Sequence, residues 1–439
     1  MSIAGRFSRL VTSPIKHHVY VSRSSDVALN LSIEHYLFQR SHPASTVLFL
    51  YVNKPCIVIG TNQNPWFEVN HALTRRNAAS LDSFSQRDEP VPKDEIRVIR
   101  RRSGGGTVFH DLGNVNFSVI FPLVDKIVNY KHAEMVVRAI RKTNPRARVN
   151  HRHDIVLDPG PLLDESDWPD SHDTRRTAYA FDNGELEPRK ISGSAGKASG
   201  PRGLHHGTCL LASPNLASIS KYLCSPAAPF LVTKAAPSTP SPVANIISQD
   251  TPKPTTSMLQ QQIIDAFIQM YNIDTTKLSL PHESDTALQN NKHCATGTLD
   301  HTLLEIPEIR SGCTEIQSPE WLYEQKREFT LSSHPSNAHP TLPDWFPPSA
   351  RIHLVIKSGL ITSSSISLSR HPSIAASEAV KFNAVLQNTR IIKLDSFRRL
   401  LDEGVSVDGA KQRRDIYRVG AWLDWMLLGH EVDVRMANK

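Results

Sequence analysis

Three consecutive glycines stand between basic and polar residues in the segment Arg101–Asp111, Arg-Arg-Ser-Gly-Gly-Gly-Thr-Val-Phe-His-Asp. Because glycine has no Cβ atom, Gly104–Gly106 let the backbone come close to a ligand. The arginines can pair with a carboxylate or phosphate, and His110 and Asp111 can hold a polar group. A glycine-rich turn after a basic strand explains the pattern equally well. It is neither a Walker A loop nor a dinucleotide fingerprint, because no Gly-Lys-Ser/Thr and no helix follows.

A lysine opens a second loop-forming segment, Lys190-Ile-Ser-Gly-Ser-Ala, which Arg202-Gly-Leu-His-His-Gly-Thr follows along the chain. An ammonium group beside such a loop can polarise a carbonyl and neutralise a phosphate, as acyl transfer requires. The alternative is an ordinary solvated lysine next to a turn. His205 and His206 are a weak metal signal, because neighbours on a strand point to opposite faces and only one can face a pocket.

Asp154 is the third candidate, in the run His-Arg-His-Asp before a short apolar segment. Its carboxylate can orient Lys190 or contribute to a Mg²⁺ site. A capping or turn role is the alternative.

The elements that must position these residues follow from apolar spacing. Helical spacing predicts helices at Val27–Gln39, with Asp26 as N-cap, at 133–142 and at Leu259–Tyr271. Short apolar runs predict strands, with paired strands at Arg189–Gly193 and Thr208–Ala212. The other predicted strands are Val19–Ser22, Thr46–Val52, Cys56–Ile59, Ile96–Ile99, Thr107–His110, Asn116–Phe121 and Ile155–Leu157.

Composition excludes several classes of protein. No apolar run approaches the roughly 20 residues of a membrane-spanning helix. The formal net charge of +7 is spread along the chain, whereas nucleic-acid-binding proteins gather Lys and Arg on one face. The 5 cysteines contain no Cys-x-x-Cys pair, which disfavours a disulfide framework and a structural zinc site. We therefore expect no membrane, no nucleic acid and no metal ligand set.

The first 25 residues have the composition of a mitochondrial transit peptide. They lack Asp and Glu, are rich in serine, and place Arg6 and Arg9 between apolar residues at helical spacing. An ordinary basic N-terminus is the alternative. We predict an address for the mitochondrial matrix at residues 1–25.

Four segments in order resemble the lipoate-protein ligase A family, within the wider biotin/lipoate ligase fold. They are Gly60–Trp66 (Gly-Thr-Asn-Gln-Asn-Pro-Trp), Arg101–Asp111, Arg189–Ala195 and His205–Leu211. Any one of them can occur by chance, whereas four in order identify the family. The resemblance covers about residues 19–272 and, more loosely, 345–430. It implies an α+β fold, with a mixed β-sheet and helices packed on it, plus a small α+β C-terminal accessory domain.

The domain organisation expected from this resemblance and from composition has four parts. Residues 1–25 are the transit peptide, and residues 26–272 are the catalytic domain, with insertions at 73–95, 158–188 and the proline-rich 225–256. Residues 273–320 are an irregular linker. Residues 321–439 are the accessory domain, with a hairpin at Arg351–Lys357 and Leu360–Ser369 and helices near Ser373–Leu386 and Asp408–Leu428.

The resemblance implies an enzyme with two half-reactions. Lipoate or octanoate and MgATP give an acyl-adenylate and pyrophosphate, and a lysine ε-amine of a lipoyl domain then attacks the mixed anhydride. The implied acceptors are the lipoyl domains of 2-oxoacid dehydrogenase E2 subunits and the glycine-cleavage H protein.

The resemblance also assigns roles to residues. Lys190 is catalytic and contacts the acyl carbonyl and the α-phosphate; Arg101 places the acyl group or its phosphate; Trp66 closes one wall. The full set of implied binding residues is Arg101, Ser103, Gly104, Gly105, Gly106, Val108, Phe109, His110, Asp154, Ser192, Gly193 and His206.

One segment departs from the family pattern. Residues 234–246 stand where the family carries a nucleotide-binding segment, but the first valine, the glycine and the arginine of that pattern are missing. Losing the arginine removes a phosphate contact. This favours an alternative, an ATP-independent amidotransferase that takes the acyl group from acyl-CoA or an acylated carrier protein. An inactive carrier-binding protein and a biotin ligase are further alternatives. The intact lysine segment disfavours the first, and the absence of a Gly-Arg-Gly-Arg-type loop disfavours the second.

Overall fold

The computed structural model describes residues 2–74, 96–123, 131–150, 152–159, 187–247, 255–276, 278–281, 287–324, 328–336, 338–406 and 409–432. They form two compact units. The first unit comprises Met1–Thr61, Arg101–Ala217 and Thr239–Ile316, and the second comprises Asn62–Arg100, Ser218–Ser238 and Gln317–Lys439. The predicted insertions at 73–95 and 158–188 lie almost wholly outside the described residues.

The strands, in chain order, are β1 His17–Ser22, β2 Thr46–Val52, β3 Cys56–Ile59, β4 Arg97–Arg100, β5 Val108–His110, β6 Asn114–Pro122, β7 Ala147–Val149, β8 Ile155–Leu157, β9 Arg189–Ser192, β10 Ser194–Ser199, β11 Arg202–Leu210, β12 Leu231–Thr233, β13 Gln289–Asn290, β14 Cys294–Leu299, β15 Glu328–Ser332, β16 Arg351–Lys357 and β17 Leu360–Ser367.

The α-helices are α1 Ile3–Thr12, α2 Val27–Arg40, α3 Pro65–Glu68, α4 Lys131–Arg141, α5 Ile219–Tyr222, α6 Thr256–Tyr271, α7 Pro307–Gln317, α8 Pro319–Tyr323, α9 Pro372–Leu386, α10 Phe397–Gly404 and α11 Ala410–Leu423. Short 3₁₀ helices lie at Ala228–Phe230, His301–Glu305 and Ile391–Lys393, and a π-helix follows α11 at Asp424–Leu428.

A mixed seven-stranded sheet organises the first unit, in the order β10-β11-β6-β2-β1-β14-β13. Strand β1 is parallel to both β2 and β14, whereas β2, β6, β11 and β10 pair antiparallel. Successive side chains of a strand face opposite sides, so Phe49 packs with α1 and α2 while Leu48 packs with α4 and α6. This two-sided sheet confirms the expected mixed-sheet α+β fold.

The N-terminal residues are part of this core. Ser2 caps α1 at its N-terminus. The helix buries four apolar side chains, those of Ala4, Phe7, Leu10 and Val11. The Phe7 ring lies 5.3 Å from that of Tyr20 in β1 and 5.9 Å from that of Tyr36 in α2. In this structure the apolar helical spacing of residues 3–12 serves core packing, whereas an address segment at residues 1–25 stays a prediction.

The region expected to be an irregular linker, 273–320, contains β14, a 3₁₀ helix and most of α7. The sequence of β14, Cys-Ala-Thr-Gly-Thr-Leu, is built of small residues and lacks an alternating pattern. A Cβ atom at Gly297 would lie 2.8 Å from Leu288 Cδ2, so close packing requires a glycine here. This packing is a long-range contact, and the sequence of the strand alone does not show it. The linker prediction is wrong for this reason.

The second unit is a separate α+β module with an antiparallel sheet in the order β12-β15-β16-β17. The predicted hairpin is confirmed as β16 and β17, and the two predicted helices as α9 and α11, with α10 between them. Its core is centred on buried aromatic residues of these elements, including Trp422, Phe382 and Phe397.

Two earlier parts of the chain also belong to the second unit, so the expected boundaries need correction. Residues 225–238, predicted to belong to an insertion in the catalytic domain, contribute a 3₁₀ helix and β12. Trp66 is 2% exposed, and its indole Nε1 donates to the Leu427 carbonyl oxygen at 2.9 Å. The expectation that Trp66 walls the ligand site is replaced by a core role, with ring contacts to Tyr323 and Phe329.

Candidate functional site

Lys190 and Asp154 meet at one end of a small three-stranded sheet, β7-β8-β9. The Lys190 Nζ lies 2.8 Å from Asp154 Oδ1, and the two side chains are 23% and 11% exposed. Val156 of β8 faces Lys190 in the ladder, with an irregularity between Ile155 and Val156. Of the alternatives left open by the sequence, the geometry favours the one in which Asp154 orients the lysine.

The glycine that follows β9, Gly193, lies beside this ion pair and close to neighbouring side chains. A Cβ atom at Gly193 would lie 3.1 Å from Val108 Cγ1 and 3.8 Å from Lys190 Cε. The Gly193 N–H donates to Thr208 Oγ1 at 2.9 Å, which fixes the loop onto β11. The Ser192 hydroxyl is buried and has no hydrogen-bond partner among the described residues. Buried hydroxyl groups are normally satisfied, so this atom fits a bound polar ligand.

Residues 242–244 of the divergent segment pair with β9 in spite of their sequence. The Lys190 N–H donates to the Pro242 carbonyl at 2.8 Å, and the Ala244 N–H donates to the Lys190 carbonyl at 3.0 Å. The Asn245 side chain bonds both backbone groups of Ser213. Prolines are compatible with this arrangement because the bonds use the Pro242 carbonyl rather than an N–H.

Arg101 holds the glycine loop in place through hydrogen bonds to the backbone of the loop. The Arg101 guanidinium is buried, and its nitrogens donate to the carbonyl oxygens of Val58, Gly104 and Gly106 and to the Ser103 hydroxyl. Burial lowers the pKa of Arg101 to about 10. The structure therefore places Arg101 as a brace for the loop, which corrects the expectation that it contacts the acyl group or phosphate.

We predict that the middle glycine of this loop is intolerant of a side chain. Gly105 has φ +85°, and a Cβ atom there would lie 2.7 Å from Ala195 Cβ and 2.9 Å from the Arg101 guanidinium. A Gly105→Ala variant should lose at least about tenfold in acyl transfer, through a strain of about 1–3 kcal/mol. Gly104→Ala is the matched control, because nothing lies within 4 Å of its Cβ position. Equal activity of the two variants, measured as rate of acceptor modification, would contradict this.

Ser103, His206 and Glu34 form a buried polar chain next to the loop. The His206 Nε2 lies 2.9 Å from Ser103 Oγ, and its Nδ1 lies 3.0 Å from Glu34 Oε2. Burial by itself raises the pKa of Glu34, but the charge and hydrogen bond of His206 and the hydroxyl of Ser118 hold it below the usual value. His205 points to the other face, towards Phe117 and His132, as strand alternation predicts.

His110 and Phe109 lie on β5, opposite β3. The Asn53 Nδ2 donates to His110 Nδ1 at 2.9 Å, and Asn30 Nδ2 donates to Asn53 Oδ1 at 2.8 Å. Burial, with Arg101 and His206 adding repulsion, lowers the pKa of His110 to about 3. His110 is thus a neutral residue, which Asn53 holds near Arg101 and His206.

We predict that the free energy of unfolding depends on pH because of the buried histidines. Burial lowers the folded-state pKa of His110 and of His205 to about 3, from an unfolded value of 6.5. Between these values the unfolded chain binds more protons, so stability falls on acidification below pH 6.5. The expected slope is about 1.4 kcal/mol per pH unit for each histidine. Urea unfolding between pH 7 and 5 measures it. His205→Phe should reduce this slope. A flat parent profile between pH 7 and 5 would contradict the prediction.

The structure thus brings two groups of predicted residues together in the first unit. Lys190 lies with Asp154, Ser192, Gly193 and Val108, whereas Arg101, Ser103 and His206 lie with the glycine loop. Gly105 and Ala195 connect the two groups by direct approach.

Sequence reasoning missed Glu34 and Thr208. The signal for Glu34 was present, since it is the only acidic residue of α2 and it stands among apolar residues. Thr208 lay within a recognised motif, but nothing in its spacing marked its bond to Gly193.

Two further properties concern the described residues alone. No group of three or more His, Cys, Asp or Glu side chains in this part of the chain is arranged to hold a metal ion. No described helix has the length and apolarity needed to cross a membrane.

Comparison with known proteins gives concordant results. The family model of the lipoyl protein ligase A/B catalytic domain matches residues 26–268. A putative lipoate-protein ligase A of Schizosaccharomyces pombe is 34% identical over 74% of this chain and 75% of its own. The human mitochondrial lipoyl amidotransferase LIPT1 is 29% identical over 71% of this chain and 66% of its own.

A solved structure of P. falciparum LipL1 in complex with lipoate aligns with a TM-score of 0.48 at 18% identity, covering 93% of this chain and 99% of that one. The family match spans more than half of the chain and includes Lys190, Asp154 and the glycine loop. The chain therefore belongs to the lipoyl protein ligase A/B catalytic-domain family.

Proposed function

We propose that this protein is a lipoate-protein ligase, which uses ATP to activate lipoate or octanoate and transfers the acyl group to a lysine of a lipoyl domain. The observation that carries the proposal is the Lys190 ammonium, held 2.8 Å from Asp154 and beside the glycine backbone at Gly193. Two relatives, from S. pombe and Bdellovibrio bacteriovorus, are named lipoate-protein ligase A, the first as putative.

Lys190 can serve both half-reactions from one position. In the first, a carboxylate oxygen attacks the α-phosphorus and pyrophosphate leaves; in the second, the acceptor amine attacks the acyl carbonyl and AMP leaves. Negative charge grows on phosphoryl and then on carbonyl oxygen, and a fixed ammonium stabilises both. Asp154 fixes the direction of that ammonium, so little reorganisation is needed during the reaction.

The surrounding residues fit an acyl-adenylate. Gly193 brings the backbone close to Val108, Lys190 and Thr208, where a side chain would be crowded, and the buried Ser192 hydroxyl has no hydrogen-bond partner among the described residues. Residues 242–244 run alongside β9 at the same point. For Mg²⁺ the described residues offer no cluster of ligands, and we derive no step through that ion.

The second candidate is an ATP-independent lipoyl or octanoyl amidotransferase. It is favoured by the missing arginine and glycine in residues 234–246, and the human and mouse relatives carry the name lipoyl amidotransferase. The transfer step would use Lys190 in the same way, because only the donor of the acyl group differs. Acceptors in either case would be lipoyl domains of E2 subunits and H protein.

A mitochondrial matrix location is part of the proposal. It is supported by the acid-poor, basic N-terminus and by the mitochondrial designation of the human and mouse relatives. Since α1 and β1 belong to the core, this address would have to act without removal of β1. Residues 1–25 fused to a fluorescent reporter should reach mitochondria, and a cytosolic reporter would contradict the assignment.

Activation is tested by pyrophosphate release. The purified full-length chain with MgATP should release pyrophosphate only when lipoate or octanoate is added. Lipoate-dependent release supports the ligase. No release, together with acyl transfer from octanoyl-CoA or a lipoylated carrier, would replace it with the amidotransferase.

A further inference from the structure

Two hydroxyl–proline pairs follow one another in the divergent segment, residues 234–246. They are Thr239-Pro240 and Ser241-Pro242, in irregular backbone between β12 and α6. Thr239 is exposed and Ser241 is partly exposed, and neither side chain makes a hydrogen bond within the part of the chain that the structure describes. A following proline favours extended backbone at each of the two residues. An accessible hydroxyl in extended backbone before proline is the kind of group that a proline-directed protein kinase phosphorylates.

The other Ser-Pro pairs in the described ranges have occupied hydroxyl groups. Ser225 is 5% exposed, and its Oγ donates to the Trp66 carbonyl oxygen at 2.5 Å. Ser213 is 4% exposed, and its Oγ donates to Asp111 Oδ2 at 2.5 Å. The hydroxyls of Ser13 and Ser318 likewise take part in hydrogen bonds at helix ends. The same dipeptide therefore occurs in this chain with a bound hydroxyl and with an accessible one.

The backbone after Ser241 is bonded directly to the Lys190 site. Lys190 and Val243 form a parallel bridge. In this bridge the Lys190 N–H donates to the Pro242 carbonyl oxygen at 2.8 Å, and the Ala244 N–H donates to the Lys190 carbonyl oxygen at 3.0 Å. Ser241 is thus one residue away from a group that is hydrogen-bonded to the proposed catalytic lysine.

Side-chain alternation places Ser241 on the same face as the Lys190 side chain. Arg189 and Pro242 are the residues before the two bridge partners, and both line one cavity of about 350 Å³. Successive side chains of extended backbone face opposite sides. Lys190 and Val243 therefore share the other face, and Ser241, two residues before Val243, returns to it.

We propose that Ser241 is a phosphorylation site for a proline-directed protein kinase, and that phosphate on Ser241 suppresses the activation half-reaction. The second part of this inference rests on the proposed function. The kinase transfers the γ-phosphoryl group of ATP to Ser241 Oγ. A bond forms from Oγ to the γ-phosphorus, the bond from that phosphorus to the bridging oxygen breaks, ADP leaves, and the hydroxyl proton passes to solvent. The product carries a charge of about −1.5 to −2 at pH 7.

The phosphate acts through its charge. The Lys190 Nζ lies 2.8 Å from Asp154 Oδ1, and Arg152 Nε lies 3.9 Å from Asp154 Oδ2. A dianion on this face competes with Asp154 for the ammonium and turns it away from the reacting atoms. It also repels the phosphates of ATP, which have to approach the same ammonium. Because both effects oppose formation of the adenylate, phosphorylation lowers the rate of activation.

The test begins with the full-length chain, incubated with a purified proline-directed kinase and MgATP and then separated from both. Peptide mass spectrometry should find phosphate on Ser241 and none on Ser213 or Ser225. Lipoate-dependent pyrophosphate release should fall at least about tenfold relative to mock-treated protein, within the 10²–10³-fold that loss of a preorganised charged group costs. Treatment with a phosphatase should restore the rate.

Two matched variants assign the effect to one hydroxyl. Each is compared with its own mock-treated sample, so that a change in basal activity does not enter the comparison. Kinase treatment should leave the rate of Ser241→Ala unchanged, whereas Thr239→Val should be inhibited as strongly as the parent chain.

Three results would overturn the proposal. The first is an unmodified Ser241 in the folded chain under conditions in which the kinase phosphorylates a synthetic peptide of residues 236–246. The second is phosphate on Ser213 or Ser225 to the same extent as on Ser241, since accessibility would then not select the site. The third is complete phosphorylation of Ser241 with an unchanged rate. If mock-treated protein releases no pyrophosphate with lipoate, the proposed function itself fails, and the map of phosphate positions still tests the site.

Discussion

Lys190→Ala is expected to abolish acyl transfer while the protein remains folded. The variant removes the ammonium held 2.8 Å from Asp154, and with it the stabilisation of charge on the reacting carbonyl and phosphoryl oxygens. A preorganised group of this kind is worth about 10²–10³-fold in rate, and we propose that Lys190 serves both half-reactions. We therefore expect modification of the lipoyl domain, read by intact mass, to fall by at least about 10³-fold.

Two controls separate chemistry from folding. Lys381→Ala removes an exposed lysine from α9 and should leave activity unchanged. Lys190→Ala removes the 2.8 Å pair of the Asp154 carboxylate, which is 11% exposed, and leaves it the 3.9 Å pair to Arg152 Nε. Thermal unfolding of the variant must therefore be measured. If the variant is destabilised, the double variant Lys190→Ala/Asp154→Ala removes the carboxylate charge as well. A folded Lys190→Ala variant that modifies the acceptor at the parent rate would show that the mechanism is wrong.

Deleting residues 2–25 should prevent folding of the first unit. The deletion removes α1 and the whole of β1, which lies between β2 and β14 in the seven-stranded sheet. Both neighbouring strands would lose their backbone partners, and the apolar surface against α2 would be exposed. We expect little soluble protein and no cooperative unfolding of the first unit; residues 26–439 unfolding at the parent midpoint would contradict this.

A matched pair of point variants tests the same packing more gently. Phe7 is fully buried between Tyr20 and Tyr36, so Phe7→Ala should cost about 3–5 kcal/mol of unfolding free energy. Ile3, on the same helix, is 52% exposed, and Ile3→Ala should stay within about 0.5 kcal/mol. Equal stability of the two variants in urea unfolding would show that α1 does not pack as described.

The sequence predicted what is local. The lysine segment and the glycine loop could be identified because their characteristic residues are consecutive in sequence. Helices α2 and α6 and the β16–β17 hairpin could be predicted because their apolar periodicity lies within one short segment. The direction of the Arg101 side chain was not predicted. A motif shows which residue stands beside the glycines, but not whether its guanidinium points out to a ligand or in to the glycine carbonyl oxygens.

Long-range pairing was beyond reach of the sequence. Strand β1 pairs with β14, Val19 opposite Thr296, and neither spacing nor composition connects two segments so far apart. Residues 62–100 and 218–238 join the second unit for the same reason. The N-terminal helix shows a second limit, because one pattern can fit two structures. Basic amphipathic spacing is typical both of a mitochondrial targeting segment and of a helix packed on a core.

The most direct test of the central claim uses the full-length chain and an unmodified lipoyl domain, analysed by intact mass. One reaction receives lipoate and MgATP, a second octanoyl-CoA, and a third a lipoylated H protein without ATP. In the first reaction we expect the acceptor to gain the mass of one lipoyl group, and we expect no such gain with Lys190→Ala. Modification in the second or third reaction alone would contradict ATP-dependent ligation and establish an amidotransferase.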